Sequence, residues 1–335
     1  MDWKKIFCAG LTAAMIFSVP IATQAATSAT EKLSQIERDA YGEEQVGAIL
    51  NRIGKIEKDF SGKNMQGNMN ARIDTIYDSL YKNSGEPSVI SRLNALEWNY
   101  NHEVSSGGVE KRISVLESAL LGEPNSGGFI DRINALSNAS FGGANIPLVQ
   151  MQIPANTLIK VALVDSITSR DLSVGDEVKI KVAEDVIIGG KLVFAKGAIG
   201  KGIVENVRKA KGWTGRNGKV EIDFNELQAV DGQTLKIFVG DEAKQEMVDK
   251  QMVDGASLVA MDLNSDWSKV LVRGKNVDVK PGAELFVQLK DSAAVFGLQV
   301  EGGNLKISPA PITTTSAPID EMIEYDDNLY LDDEE

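Results

Sequence analysis

A few stretches of this chain carry residue types that could do chemistry. Gly212–Lys219 reads GWTGRNGK and is suggestive of a phosphate loop, in which glycine N–H groups and a lysine cradle a nucleotide. The pattern G-x-x-x-x-G-K-[ST] is broken twice, because Trp213 holds the place of the first glycine and Val220 follows the lysine. The stretch reads instead as a basic hairpin tip, KAKGWTGRNGK, whose exposed Trp213 is placed to touch a partner or a glycan. Asp262–Asp266 starts like a calcium loop, but Trp267 replaces the sharp-turn glycine and Arg273 stands where a bidentate glutamate belongs. Gly197, Gly200 and Gly202 do not form the dinucleotide fingerprint.

A serine–histidine–aspartate triad needs histidine as its base. The single histidine, His102, lies in the polar stretch NYNHEVSSGG and is expected to have no catalytic role. Zinc needs more histidine or cysteine than the one of each present. No metal or cofactor is expected. Carboxylates are plentiful, so a two-carboxylate hydrolase is the enzymatic alternative, but no spacing singles out a pair. The chain is expected not to be an enzyme.

The most regular chemistry is a set of charged columns. Basic residues stand every twenty positions: Lys32, Arg52, Arg72, Arg92, Arg112 and Arg132. Acids recur at Glu37, Glu57, Glu97 and Glu117. Within one helix the two columns are five residues apart, and helical neighbours sit at three or four. The columns therefore either flank a solvated face, the simpler reading, or pair between adjacent helices. The five arginines, with Trp213, are the candidate interaction residues.

Those columns ride on an apolar stripe of the same period. An aliphatic residue follows each basic one (Leu33, Ile53, Ile73, Leu93, Ile113, Ile133), and another comes three later (Ile36, Ile56, Ile76, Leu96, Leu116, Leu136). Ile49, Met69, Val89, Val109 and Phe129 extend the stripe upstream; Phe60, Leu80, Tyr100 and Leu120 extend it downstream. Spacing of four, three, four puts four side chains on one face of a helix of about 12–14 residues. Glycine or proline falls between the stripes, so separate helices are expected rather than one coiled coil. Short amphipathic helices are marginal alone and must bury their stripes against one another or another chain. This array covers about 30–143.

The first residues read as a secretory signal peptide, 1–25: Lys4 and Lys5, an apolar run of about 16 residues, then Pro20 and a small-residue stretch. Cys8, the only cysteine, lies within it, so the exported chain would have no disulfide, which fits a bacterial origin. No later segment is long and apolar enough to span a membrane. The formal charge of −13 is concentrated in PIDEMIEYDDNLYLDDEE, so the body offers no electrostatic footprint for nucleic acid. Residues 309–335 are expected to be a disordered, solubilising acidic tail, with calcium-linked docking to a basic surface as the sharper option.

From Ile146 to about residue 308 the pattern changes to short β-branched runs: 158–164, 177–182, 191–195, 219–224, 234–239, 269–274 and 284–289. VGDE, IGGK, VDGQ and KPGA separate some of them as turns, and Asp241–Lys250 reads as one helix. An all-β barrel or sandwich follows. The fold class is therefore α+β as separate domains.

The spaced elements Ile153-Pro154-Ala155-Asn156-Thr157, Val174-Gly175-Asp176-Glu177-Val178, Glu184-Asp185-Val186, Lys196-Gly197 and Gly202-Ile203-Val204 resemble the β-barrel domain of the VirB10/TrbI secretion-channel proteins over about 150–240. Asn156 stands where that pattern has glycine, and neither the preceding membrane helix nor the proline-rich spacer is found. Residues 31–143 resemble R-I-x-x-L-E repeats of exported proteins from Firmicutes that have an outer membrane. The repeat resemblance bears on source and location; the constant phase of the apolar columns, with no catalytic constellation beside them, leads to the expectation of an exported envelope structural or adaptor protein, in the periplasm or at the cell surface. Its expected partner is a protein or the cell wall, with homo-oligomerisation possible. The alternative is a ring or scaffold subunit of a multi-protein envelope machine.

Overall fold

The computed structural model describes residues 28–143, 145–210, 218–249, 270–274 and 277–300. The expected signal peptide, Trp213, Trp267 and the acidic tail lie outside the described residues.

Among the described residues six helices come first: α1 (Ala29–Tyr41), α2 (Ile49–Ser61), α3 (Met69–Tyr81), α4 (Val89–Asn101), α5 (Val109–Leu120) and α6 (Phe129–Phe141). Their lengths are those the stripe predicts. All twelve central stripe residues, Leu33 and Ile36 through Ile133 and Leu136, are buried in one core, together with Phe60 and Leu80. Tyr100 departs from the expected stripe and is exposed, because α4 turns a second face inward through Ile90, Ala95 and Trp98.

The helices coil on themselves. Contacts join successive helices, α1 to α2 through hydrogen bonds between their side chains, and also α1 to α3 and α4 to α6 two repeats apart, and α1 to α5 and α2 to α6 four apart. The last relation explains the caps. Ser28, Asn68 and Ser88 cap α1, α3 and α4 with side-chain oxygens, satisfying N–H groups that the first turn leaves open. Gly108 and Gly128 hold that position on α5 and α6 without a side-chain bond. A Cβ at Gly108 would lie 2.8 Å from the Tyr41 carbonyl carbon, and one at Gly128 would lie 2.8 Å from the Phe60 oxygen. Each of these two helix starts is pressed against the end of the helix four repeats earlier, leaving no room for a side chain.

The second half holds thirteen strands among the described residues: β1 (Leu148–Ile153), β2 (Leu158–Leu163), β3 (Ile167–Thr168), β4 (Glu177–Val182), β5 (Val186–Ile188), β6 (Lys191–Phe194), β7 (Ile199–Arg208), β8 (Gly218–Gln228), β9 (Thr234–Phe238), β10 (Val270–Gly274), β11 (Asp278–Val279), β12 (Glu284–Leu289) and β13 (Ala293–Gln299). Helix α7 (Asp241–Asp249) follows β9, as expected. Strands β8-β7-β4-β2-β12-β9 are antiparallel, and β9 pairs back to β8, which closes a six-stranded barrel. Its core gathers Ile159, Val178, Ile180, Val204, Ile222, Phe224 and Val287.

A second sheet, ordered β1-β13-β6-β5, is a middle layer. Val193, Phe194 and Val295 face the barrel core, whereas Leu192, Ala195 and Leu298 join the helical core. Helices and barrel are thus consecutive in sequence and joined in space by a sheet whose two central strands, β13 and β6, contribute to both cores.

Candidate functional site

The structure overturns the reading of the charged columns as a solvated flank. Arg52 donates from Nε and Nη2 to Glu37 at 2.8 and 2.5 Å. Arg72 holds Glu57 at 2.6 and 2.7 Å. Arg112 holds Glu97 at 3.0 and 2.6 Å, and Arg132 holds Glu117 at 3.0 and 2.6 Å. In each pair the arginine lies one repeat on, fifteen residues after its acid. Backbone N–H groups of Gln45, Ser105 and Asn125 donate to the same carboxylates Glu37, Glu97 and Glu117. Each carboxylate is buried, so the forked bonds are charge-assisted and shielded from water. The bond to Arg72 holds the Glu57 carboxyl below the usual glutamate range, against the opposing effect of burial.

Arg92 is the exception. Tyr77 occupies the acid position that would serve it, and Arg92 donates instead to Asn134 Oδ1 at 2.5 Å. Burial pushes its guanidinium down from the usual value. Lys32 makes the matching contact three repeats earlier, to Asp74 at 2.6 Å. Four of the five candidate arginines therefore hold helix to helix, and the fifth spans α4 to α6.

Helix α4 carries the seam with the β half. Ser91 Oγ and Asn83 Nδ2 donate to the Asp231 carbonyl at 2.6 and 2.9 Å, and Asn94 Nδ2 donates to the Val230 carbonyl at 3.0 Å. Trp98 Nε1 donates to Asp185 Oδ2 at 2.8 Å, and Lys196 N donates to the other oxygen at 2.7 Å. Val104 N reaches the Lys196 carbonyl at 2.8 Å. Gly197 lies so close that a Cβ there would be 2.2 Å from the Val104 oxygen. The Asp231 carboxylate is itself buried and accepts from Gln233 N, Gln233 Nε2 and Phe296 N; burial still pushes its pKa up. His102 serves the backbone, ending α4 in the left-handed region at φ 55°, and its ring meets Trp98 edge-on at 4.8 Å.

Beside this seam lies a cleft of about 400 Å³ with walls from both halves. On the helical side, Tyr81 donates to Asp39 in a short hydrogen bond. Burial pushes the Asp39 carboxyl up, and burial together with Asp39 raises the Tyr81 phenol. On the barrel side, Lys201 lies between Glu177 at 3.4 Å and Glu226 at 3.5 Å. Burial works to lower the Lys201 pKa, and the two carboxylates outweigh it and raise the value. The exposed loop Ser105–Gly107 forms the rim. The walls offer donors and acceptors of both charges to a polar ligand. Among the described residues no group of three or more His, Cys, Asp or Glu could hold a metal, and no described helix is long and apolar enough to cross a membrane.

No protein-family model matches the chain, and no curated protein matches it. Among solved structures, the chain is similar to ComB10 of the Com type IV secretion system of Helicobacter pylori, with 13% sequence identity and a TM-score of 0.24, over 42% of this chain and 88% of that chain.

Proposed function

We propose that this protein is a non-enzymatic scaffold or adaptor of the bacterial cell envelope, exported and then bound to a protein or cell-wall partner. The observation that carries the reading is the seam: two differently built halves are fixed to one another by buried polar bonds and a shared core, and a mixed-charge cleft stays open between them. A scaffold needs a fixed relation between its parts, and the clamps and seam supply one. The export signal, the envelope location and the Firmicutes-like repeats rest on the sequence and belong to this proposal.

The test is co-sedimentation with purified cell-wall sacculi, together with crosslinking in intact envelopes. Ser106→Trp, which fills the exposed rim of the cleft, is expected to abolish capture while the fold persists. Release of soluble wall fragments, abolished by Asp39→Asn or a Glu177 change, would overturn the reading in favour of a hydrolase. Ring-shaped particles in electron micrographs of the purified chain would favour a subunit of a larger machine.

A further inference from the structure

The middle sheet has two edges, and they are built differently. Strand β5 is three residues long with an irregular register between Val186 and Ile187. A short, bulged edge resists pairing with another chain. Strand β1 runs six residues, LVQMQI, in unbroken register with β13 from Leu148↔Leu298 to Ile153↔Ala293. It carries no charge, no internal proline and no bulge, so the usual guards of an edge are missing.

The register fixes which backbone groups face outward. Gln299 N donates to the Pro147 carbonyl, so the odd-numbered residues of β1 point their N–H and C=O toward β13, because antiparallel pairs alternate. Two bonds on β13 agree with this phase: Phe296 N and the Ala294 carbonyl, opposite Gln150 and Gln152, point away from β1 and meet Asp231 and Gln233. The N–H and C=O groups of Gln150 and Gln152 therefore project from an edge that pairs with no other strand among the described residues, and both residues are exposed.

We infer that β1 pairs antiparallel with β1 of a second copy, about a two-fold axis through Met151. The strand is a palindrome of residue character about that point, V-Q-M-Q-I. With the axis there, Gln150 of one copy faces Gln152 of the other, and the two outward-facing residues exchange both backbone bonds. Met151 faces Met151 of the second copy, and Val149 faces Ile153. No like charges meet across the axis, which a charged strand could not avoid at its centre. The two middle sheets become one sheet of eight strands. Strand pairing alone buries less than the ~1,200 Å² typical of stable complexes, so the dimer is a weak, exchanging one.

Covalent trapping tests this on the full chain in a Cys8→Ser background. Facing residues of a non-hydrogen-bonded pair have Cα atoms about 4.5 Å apart, within disulfide reach. Met151→Cys is therefore expected to yield a disulfide-linked species of doubled mass under mild oxidation. Gln150→Cys is the control: its two copies sit roughly 8 Å apart, beyond bridging distance. Adding Gln150→Lys and Gln152→Lys to the Met151→Cys chain, at exposed positions that leave the fold intact by circular dichroism, is expected to abolish the doubled species. Adding Gln152→Pro is expected to do the same, since only an outward N–H is lost. Equal crosslinking at 150 and 151, crosslinking that survives both disruptions, or a chain that stays monomeric at every concentration without crosslinking would each overturn the inference.

Discussion

The clamp between α5 and α6 gives a quantitative test of what holds the array together. Arg132→Leu removes the fork but leaves Glu117, whose side chain is fully buried and otherwise receives the Asn125 N–H at 3.1 Å. An uncompensated buried charge costs about 3–5 kcal/mol. Replacing both members by leucine removes that charge and frees the Asn125 N–H, which belongs to an exposed residue and so costs less than the ~1–3 kcal/mol of a buried unpaired donor. The double variant is thus expected to be more stable than Arg132→Leu alone. Arg38→Ala is the control, since Arg38 and Glu44 are each about half exposed, and such pairs contribute under ~1 kcal/mol. Urea unfolding of the full chain, followed by far-ultraviolet circular dichroism, reads all three. The reasoning fails if Arg132→Leu costs no more than Arg38→Ala, or if the double variant is the least stable.

Three further outcomes are expected. Gly108→Ala and Gly128→Ala each force backbone apart and should destabilise by about 1–3 kcal/mol, whereas Gly54→Ala, inside α2 with nothing within 4 Å of a new Cβ, should stabilise by about 0.5–1 kcal/mol; thermal midpoints distinguish the two signs. Glu57 has a lowered pKa, so its contribution is present above the ordinary glutamate range and lost as pH falls through the lowered folded value. Glu57→Gln should therefore flatten the acid limb of the stability profile. Asp39 has the opposite sign: its pKa is raised by burial, so stability is lost as pH rises through the raised value. Asp39→Asn should raise the unfolding midpoint at neutral pH and leave it unchanged in acid, as a pH series of urea melts would show.

The helical half is legible in the sequence because its signal is repeated. Six copies of one stripe fix helix length, spacing and buried face, and the turn glycines mark the ends. The clamps are half-visible: the arginine and glutamate columns stand out, but the fifteen-residue register that joins them depends on how successive helices cross. The β half shows itself in its β-branched runs, which become strands β2, β4, β6, β8, β9, β10 and β12. Strand β7 escapes that signal because Gly200 and Gly202 interrupt it; a Cβ at either would lie within 2.8 Å of a β8 carbonyl oxygen. Asn156 takes φ 61°, the left-handed turn conformation that asparagine shares with glycine. The seam is not legible, since Ser91, Asn94 and Asp231 are ordinary polar residues until α4 is laid against the β half. Nor is the cleft, whose walls are drawn from positions as far apart as Gln35 and Thr234.

The glycines at the starts of α5 and α6 also bear on how such an array can lengthen. A duplicated unit is not interchangeable with its parent. A copy of the serine- or asparagine-capped early units, inserted late in the coil, would carry a side chain into the backbone of the winding beneath it. Only the glycine-started units can be multiplied without obstruction, so growth by tandem copying is open toward the β half and closed for the founding segment.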